Sequence, residues 1–256
     1  MLSYQHLYHA GNLADVHKHA TLAWMLDYMA AKPKPISYIE THAGRGLYDL
    51  ASPEARKTGE SETGIARLEP RLPADHPYRK ILAETRARHG ATAYPGSPLV
   101  AALSLRPTDT LRLAELHPQE YAQLRAAMRP YPAEVLQRDG WDFALAATPP
   151  TPRRGLMLID PSFEVKAEYA RAAKVIPQLA RKWNVGVIAL WYPILAEAPH
   201  ETMLAALRAA LPDIFVSEIR FPPARAGHRM QGSGLAVVNP PWGLADEARR
   251  LQSLFR

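Results

Sequence analysis

A short apolar run followed by glycines is the first feature of this sequence that points to chemistry. Residues 36–40 end at Glu40, and the following Thr-His-Ala-Gly-Arg-Gly places glycines at positions 44 and 46. Glycines permit a tight turn and let a ligand approach the backbone at the carboxyl end of a strand. No third glycine and no Lys-Ser or Lys-Thr pair follows, so both the dinucleotide fingerprint and the P-loop are incomplete. The pattern favours a ligand-binding turn of another kind.

Carboxylates follow the next two apolar runs. Glu115 lies near the end of residues 110–116, where a sheet of this kind holds the two hydroxyls of a ribose. Asp139 follows residues 134–137, where it can accept hydrogen bonds from an adenine amino group, and Gly140 leaves room for the ring. An acid in either place also caps a helix for structural reasons alone, and the residues themselves leave this alternative open.

The spacing of apolar residues predicts the elements that position these groups. Helical periodicity covers residues 13–31, and Asn12 is a candidate cap at its start. Buried parallel strands are indicated by short apolar runs at residues 36–40, 110–116, 134–137, 155–160 and 185–191. Helical segments separate these runs. The alternation predicts a doubly wound α/β domain with a mostly parallel sheet.

The C-terminal part of the sequence has a different pattern. Apolar runs at residues 214–221 and 235–239 are separated by a segment that contains Gly227, Gly232 and Gly234. We expect an antiparallel hairpin at the sheet edge, joined by a glycine-rich loop. The Asn-Pro-Pro-Trp sequence at 239–242 follows this hairpin and is interpreted as structural.

The stretch between the first two predicted strands is longer than a crossover connection requires. Residues 51–93 carry eight Lys and Arg side chains against six acids, with helix-like patches such as residues 78–88. We predict one domain over residues 1–256, with residues 51–93 as a small helical subdomain inserted in it. A solvated lid without a partner and a direct nucleic-acid contact are both open interpretations of this insertion.

The composition limits the chemistry and the location. Without any cysteine, the chain has no disulfide, thiolate nucleophile, iron–sulfur cluster or cysteine-based zinc site. His17 and His19 do not share a helical face, so we expect no metal. No segment approaches the ~20 apolar residues of a membrane-spanning helix, and the start lacks the features of a secretory signal. We expect a cytoplasmic monomer without membrane contact, and its net charge of +6 and pI near 9.5 suit a polyanionic partner.

The end of the fourth predicted strand carries the most specific signal. Residues 160–163, Asp-Pro-Ser-Phe, resemble the Asp/Asn-Pro-Pro-Tyr/Phe signature of S-adenosyl-L-methionine-dependent methyltransferases that act on exocyclic amines. Further motifs occur in order along nearly the whole chain: Leu-Ser-Tyr-Gln-His (2–6), His-Ala-Gly-Asn (9–12), Ala-Asp-Val (14–16), Lys-His (18–19), Thr-His-Ala-Gly (41–44), Tyr-Pro-Gly-Ser-Pro (94–98), Glu-Leu-His-Pro (115–118), Leu-Trp-Tyr-Pro (190–193) and Asn-Pro-Pro-Trp (239–242). The set is similar to the RlmJ (YhiR) family, which methylates N6 of an adenine in bacterial 23S ribosomal RNA.

The resemblance implies a Rossmann-like class I methyltransferase sheet, S-adenosyl-L-methionine as cofactor and 23S rRNA as partner. The family's cofactor contacts correspond to His19, His42, Ser97, Glu115, Asp139, Gly140 and Asp160. Asp160 is also the implied catalytic carboxylate, with the Pro161 carbonyl as a second acceptor and Phe163 stacking on a flipped adenine. The implied RNA contacts are Tyr4 and the neighbouring motif positions His6 and Lys18.

Other functional classes remain as alternatives. A non-catalytic RNA-binding or ribosome-assembly protein would keep the fold, and a methyltransferase acting on DNA or protein amines would keep the signature. A nicotinamide oxidoreductase is disfavoured, because it needs an acid about 20 residues after the glycines. Glu115 lies 71 residues after Gly44.

Overall fold

The computed structural model describes residues 6–223 and 229–256, so Tyr4 and Gly227 lie outside the described residues. Within these two ranges the strands are β1 (Ser37–Glu40), β2 (Leu47–Asp49), β3 (Ala93–Pro95), β4 (Thr110–Ala114), β5 (Ala133–Leu136), β6 (Gly155–Ile159), β7 (Val187–Leu195), β8 (Phe215–Arg220) and β9 (Met230–Val238). The α-helices are α1 (Leu13–Ala30), α2 (Pro53–Thr58), α3 (Glu60–Thr63), α4 (Ile65–Leu68), α5 (Pro77–His89), α6 (Ser97–Ser104), α7 (Pro118–Met128), α8 (Gly140–Ala146), α9 (Ala167–Lys182), α10 (Pro199–Ala210) and α11 (Leu244–Leu254).

Seven strands form the main sheet, in the order β5-β4-β1-β6-β7-β9-β8. Strands β5, β4, β1, β6 and β7 are parallel, whereas β9 runs antiparallel to β7 and β8. The chain order therefore reverses at β1, which pairs with β4 on one side and β6 on the other. Open α/β sheets bind ligands outside the carboxyl ends of the strands at such a switch point. The predicted doubly wound sheet with an antiparallel edge hairpin is confirmed.

Helix α1 crosses the core beside the sheet. Its cap is the predicted one, since the Asn12 Oδ1 accepts the Asp15 N–H at 2.9 Å. Most of its side chains are buried, and Leu22, Met25 and Leu26 are almost completely shielded from solvent. A helix that is buried on nearly all sides is one enclosed by the fold, and near its start this helix also buries polar side chains, including Asp15, Lys18 and His19. It packs against α5, α6, α11 and β9.

The predicted strand ends differ from the observed ones mostly by one or two residues. The larger differences are at β9, which begins five residues before the predicted start, at Met230, and at β7, which continues past the predicted end to Leu195. Pro193 lies in this extension, where β7 still pairs with β9 but has passed the end of its pairing with β6. A proline is tolerated in a strand where a neighbouring strand no longer needs its N–H.

The prediction that Gly232 and Gly234 belong to the hairpin loop is wrong, because both lie within β9. A Cβ on Gly232 would stand 2.3 Å from the carbonyl oxygen of Ile219 in β8. A Cβ on Gly234 would stand 2.1 Å from the ring of Tyr192 in β7. These glycines therefore serve close packing between neighbouring strands rather than a turn.

Helices α2 to α5 occupy the long segment between β2 and β3, and these two strands pair antiparallel at its base. Its apolar side chains, including Ile65, Leu68 and Tyr78, join the same buried cluster as α1 and the sheet. The Gly96 N–H donates to the carbonyl of Gly46 at 2.8 Å, which fastens the end of β3 to the turn after β1. The assignment of residues 51–93 as a separate subdomain stays a prediction. In the described ranges, no helix is both long and apolar enough to cross a membrane.

Candidate active site

A cleft of about 470 Å³ opens at the carboxyl ends of β1, β4, β5 and β6. Its volume lies in the range of small-molecule and cofactor pockets. The start of α1, the turns after these strands and the start of α6 surround it. All sequence-predicted site residues of the described ranges line this cleft: His6, Lys18, His19, His42, Ser97, Glu115, Asp139, Gly140, Asp160, Pro161 and Phe163.

The turn after β1 and the carboxylate of Glu115 are joined directly. Gly44 and Gly46 have φ of +64° and +77°, a left-handed conformation that favours glycine. The Gly44 N–H donates to Glu115 Oε2, and the His117 N–H donates to Oε1, both at 2.8 Å. Burial raises the pKa of Glu115, although these two N–H groups oppose the shift. Each oxygen retains a lone pair for a further donor, such as a ligand hydroxyl.

Asp139 caps helix α8. Its Oδ1 accepts the N–H groups of Trp141 and Asp142, each at 3.0 Å. The helix-cap interpretation that the sequence left open is therefore confirmed for this oxygen. Because the carboxylate also lines the cleft, capping and ligand contact are compatible at this residue.

Gly140 has a packing role that the sequence did not indicate. A Cβ at this position would stand 2.2 Å from the Thr41 carbonyl oxygen and 2.6 Å from the His42 ring. The expectation that Gly140 leaves room for an adenine ring stays a prediction, because the residue lines the cleft but the space that a Cβ would occupy is filled by the turn after β1. Glycine here lets α8 approach that turn.

Of the two candidate cofactor histidines, His19 is buried and His42 is half-buried, and both are uncharged at neutral pH. His42 Nδ1 lies 2.7 Å from Thr41 Oγ1, and burial lowers the pKa of His42 to about 4. His19 Nδ1 lies 3.1 Å from the Tyr94 hydroxyl, and burial lowers the pKa of His19 to about 3. Both imidazoles therefore present one donor and one acceptor rather than a positive charge.

Asp160, at the end of β6, is paired with a lysine of α1. Lys18 Nζ lies 2.6 Å from Asp160 Oδ2 and 3.3 Å from Asp15 Oδ1. Burial alone would lower the pKa of Lys18, but the two carboxylates together have the larger effect and raise it. Lys18 is one of the RNA contacts that the resemblance implies. In the structure, two carboxylates bind its ammonium group in the wall of the cleft.

Asp15 is a site residue that sequence reasoning missed. Its Oδ2 accepts the Gly11 N–H at 2.9 Å and lies 2.8 Å from His6 Nε2. Burial alone would raise the pKa of Asp15, yet the charges of His6 and Lys18 hold it well below the ordinary value. The spacing of Asp15 and Lys18, three residues apart on a helix, was the available signal.

Glu40, at the end of β1, was also missed. It is fully buried and accepts hydrogen bonds from the hydroxyls of Tyr38, at 2.8 Å, and Ser97, at 2.5 Å. Burial raises the pKa of Glu40 to about 8, so this carboxyl keeps its proton at neutral pH. A carboxylate at the carboxyl end of the central strand was the signal that could have marked it.

Phe163 lies in a strained and covered conformation. Its φ is +53°, an uncommon value for a bulky side chain, with a cost on the order of 1–3 kcal/mol. The ring is only 5% exposed, with ring centroids 4.5 Å from Tyr169 and 6.3 Å from Trp191. Stacking on a base stays a prediction, and it requires the segment that carries Phe163 to open.

The chemistry of the cleft is that of hydrogen-bond acceptors. Glu115 follows β4, Asp139 precedes α8 and Asp160 follows β6, and all three carboxylates line the cleft. Such a set suits hydroxyls, amines and ammonium groups and repels phosphates. Within residues 6–223 and 229–256, no three His, Asp or Glu side chains come together as a metal-ion site would require.

Comparison with known proteins identifies relatives over nearly the whole chain. Residues 33–255 match the family described as "Ribosomal RNA large subunit methyltransferase D, RlmJ". The chain is 39% identical to "Ribosomal RNA large subunit methyltransferase J" of Escherichia coli, over 96% of this chain and 90% of that protein. It is 37% identical to the protein of the same name from Haemophilus influenzae, over 98% and 92% of the two chains.

A solved structure agrees with these relatives. The crystal structure of protein LPL1258 from Legionella pneumophila aligns with a TM-score of 0.86 and 34% identity, covering 96% of this chain and 92% of that one. The similarity thus extends over both the sheet and the helices that surround the cleft. Because the family match covers most of the sequence, and these relatives exceed 30% identity over nearly their full length, the chain belongs to the RlmJ family.

Proposed function

We propose that this chain transfers a methyl group from S-adenosyl-L-methionine to N6 of an adenine in 23S ribosomal RNA. One observation carries the proposal: the cleft gathers the carboxylates of Glu115, Asp139 and Asp160 at the switch point of the sheet. The first two suit the donors of a nucleoside, and the third suits an exocyclic amine. Membership of the RlmJ family and the names of the two relatives support the same activity.

The residues of the cleft fit the cofactor. Glu115 would accept the two ribose hydroxyls, since backbone N–H groups fix both of its oxygens and leave further lone pairs. Asp139 would receive the adenine amino group, and Ser97 with the neutral rings of His19 and His42 would complete the polar contacts. When bound, S-adenosyl-L-methionine supplies a methyl group already activated by its sulfonium.

Asp160 and Pro161 would act on the acceptor nitrogen. Adenine N6 is a weak nucleophile because its lone pair is delocalised into the ring. The Asp160 carboxylate and the Pro161 carbonyl would each accept a hydrogen bond from one N6–H group. This favours a tetrahedral nitrogen whose lone pair points out of the plane of the ring. Lys18 holds Asp160 through Oδ2, so the carboxylate has a fixed position before the base arrives.

The RNA would reach Asp160 as a base turned out of its stack. Base flipping is easiest where pairing and stacking are already weak, so an adenine in an irregular RNA element is the expected target. His6 lies at the cleft, where we propose that it contacts the RNA. Lys18 and Tyr4 are the other RNA contacts that the family resemblance implies. Because the proposed substrate is 23S rRNA, we propose that the protein acts in the cytoplasm.

Cofactor binding and methyl transfer test the proposal separately. Calorimetry with S-adenosyl-L-methionine and S-adenosylhomocysteine, in the presence of EDTA, should show binding of both. Transfer of a labelled methyl group to naked 23S rRNA should occur with the wild type and be lost in Asp160→Ala. If the folded protein bound neither ligand, the non-catalytic RNA-binding or ribosome-assembly alternative would replace this proposal.

A further inference from the structure

An aromatic surface lies at the end of the sheet opposite to the cleft. Trp242 is 83% exposed, and it follows the end of β9, which pairs with the start of β7. The next residue, Gly243, lies so close to Trp24 that a Cβ there would meet the indole at 3.5 Å. Trp24 in turn stacks on Tyr28, with ring centroids 5.6 Å apart and planes at 15°. Three aromatic residues thus follow one another along the surface near the end of α1.

Two arginines continue this surface. Arg154 donates to the carbonyl oxygens of Met29, at 2.5 Å, and Lys34, at 3.0 Å. Arg106 donates to the same Lys34 carbonyl oxygen at 2.9 Å. Burial and the neighbouring charge of Arg106 lower the pKa of Arg154, while the nearby Tyr28 opposes the shift. Two guanidinium groups therefore converge beside the aromatic residues.

The charge of this region is positive. Lys32 and Lys34 are exposed on the loop after α1, and Arg153 contacts the Asn184 side chain at 3.3 Å. Among the described residues near these cations, Asp109 forms an ion pair with Arg106, and Asp27 is exposed next to Tyr28. Near Trp242, Asp246 of α11 is paired with Arg249. The surface therefore carries five cations against Asp27 and Asp109.

The Asn-Pro-Pro-Trp sequence positions the aromatic end of this surface. The Asn239 side chain donates to the carbonyls of Asn184, at 3.1 Å, and Gly186, at 2.8 Å. Asn184 is also the residue that Arg153 contacts. This turn thus fixes Trp242 relative to the basic loops, while the proposed methyl transfer makes no use of it. We call this surface the basal strip. It consists of three aromatic and five basic residues: Trp242, Trp24, Tyr28, Lys32, Lys34, Arg106, Arg153 and Arg154.

We propose that the basal strip binds a single-stranded or loop segment of the ribosomal RNA substrate. The inference rests on the proposed function and adds a second RNA contact to it. Exposed aromatic rings stack on bases, and the adjacent Lys and Arg side chains pair with phosphates. A nucleic acid is favoured over a protein partner, because the charges beside the aromatic rings are predominantly positive and an excess of one sign suits a polyanion.

This RNA segment is a different one from the segment that enters the cleft. Lys18 and His19 of the cleft lie near the start of α1, whereas the basal strip surrounds its end. The helix has 18 residues and is about 27 Å long, at 1.5 Å per residue. A short RNA that delivers its adenine to Asp160 therefore does not extend to Trp242, whereas a folded domain of 23S rRNA does.

Two variants of the basal strip test the proposal by RNA affinity. Trp242→Ala should weaken binding of a 23S rRNA transcript roughly ten-fold, through loss of one base stack. Lys32→Ala with Lys34→Ala should weaken it as well and reduce the slope of log affinity against log salt by about two. Lys174→Ala, which removes an exposed charge from α9, is the matched control and should change neither quantity.

A short RNA fragment that the wild type methylates separates this proposal from a general loss of structure. Its affinity, its methylation and the affinity for S-adenosyl-L-methionine should stay unchanged in the Trp242 variant. Unchanged transcript affinity, or equal losses for transcript and fragment, would overturn the proposal. A dimer that dissociates in Trp242→Ala would instead make the strip a contact between copies of this chain. If the wild type methylates neither RNA, the proposed function fails, while the binding data still decide on the strip.

Discussion

Lys18 Nζ and Asp160 Oδ2 are 2.6 Å apart, although the two residues are separated by 142 positions in the sequence. This ion pair joins the first helix to the end of β6 and fixes the carboxylate of the signature sequence. Asp15 supports the lysine from its other side at 3.3 Å. The position of the Asp160 carboxylate therefore depends on α1 as much as on the sheet.

Breaking this ion pair should destabilise the protein. The Lys18 and Asp160 side chains are only 7% and 13% exposed, so Lys18→Met leaves the largely buried Asp160 carboxylate without this partner, while Asp15 keeps Gly11 and His6. Such losses cost about 3–5 kcal/mol, which denaturant unfolding would measure. The double variant with Asp160→Asn should lose less than the sum of the two single changes. The exposed Arg249–Asp246 pair is the control and should show a coupling of about 0–1 kcal/mol. Additive effects at Lys18 and Asp160 would contradict the assigned interaction.

Substitution of Glu115 should lower the affinity for the cofactor more than it lowers the rate of methyl transfer. Glu115→Ala removes the acceptor assigned to the ribose hydroxyls, and hydrogen bonds to a charged group contribute about 1.5–3 kcal/mol each. We expect S-adenosyl-L-methionine affinity to fall at least ten-fold by calorimetry, whereas Asp160→Asn should bind nearly as tightly as the wild type. Glu134→Gln, on the neighbouring edge strand, serves as the control. Wild-type affinity in Glu115→Ala would remove the ribose assignment.

Phe163 variants separate ring stacking from packing. Phe163→Tyr should be nearly neutral, and Phe163→Leu should retain most of the contact with Tyr169 while losing the aromatic face. A base–aromatic stack contributes about 1–3 kcal/mol, so the rate of Phe163→Leu should fall by about one to two decades in single-turnover assays. Phe163→Ala should also lose about 3 kcal/mol of stability, because it empties a buried site. Full activity of the Leu variant would exclude the stacking role.

Glu40 should make stability depend on pH. Its carboxyl titrates near 4.5 in the unfolded chain and near 8 in the folded one. Between these values the folded state holds the extra proton, so unfolding releases it and stability falls as pH rises. The contribution is up to about 1.4 kcal/mol per pH unit. The free energy of unfolding of the wild type minus that of Glu40→Gln should fall with this slope from pH 5 to 8. The comparison with the variant is needed because buried histidines with a lowered pKa, such as His19 and His42, add an opposite slope to both proteins below about pH 6.5. Parallel profiles would mean that Glu40 is ionised when buried.

The sheet could be predicted from the sequence because its strands are short apolar runs separated by helices. The same patterns pointed to Glu115, Asp139 and Asp160, since each carboxylate lies at or shortly after the end of such a run. The glycines of β9 were misplaced for a physical reason: Gly232 and Gly234 give room to Ile219 and Tyr192 on neighbouring strands. A turn and a close strand contact both select glycine, and local sequence does not separate them.

The contacts inside the site could not be predicted in the same way. Asp15 and Glu40 acquire their roles from partners that the fold brings to them, such as Lys18 and Ser97. Glu40 keeps a proton because it is buried, and burial depends on tertiary packing rather than on its neighbours in sequence. The short pair of β2 and β3, which places Ser97 beside Glu40, was likewise not indicated by periodicity.

Nucleoside mass spectrometry tests most directly whether this chain methylates N6 of an adenine in 23S rRNA, as we propose. Naked 23S rRNA would be incubated with the purified protein and S-adenosyl-L-methionine, then digested to nucleosides, with the Asp160→Asn variant and duplex DNA as parallel samples. We expect N6-methyladenosine from the rRNA with the wild type, and no increase with the variant or with DNA. Methylation at another atom, equal methylation of duplex DNA, or full activity of Asp160→Asn would contradict the proposed function.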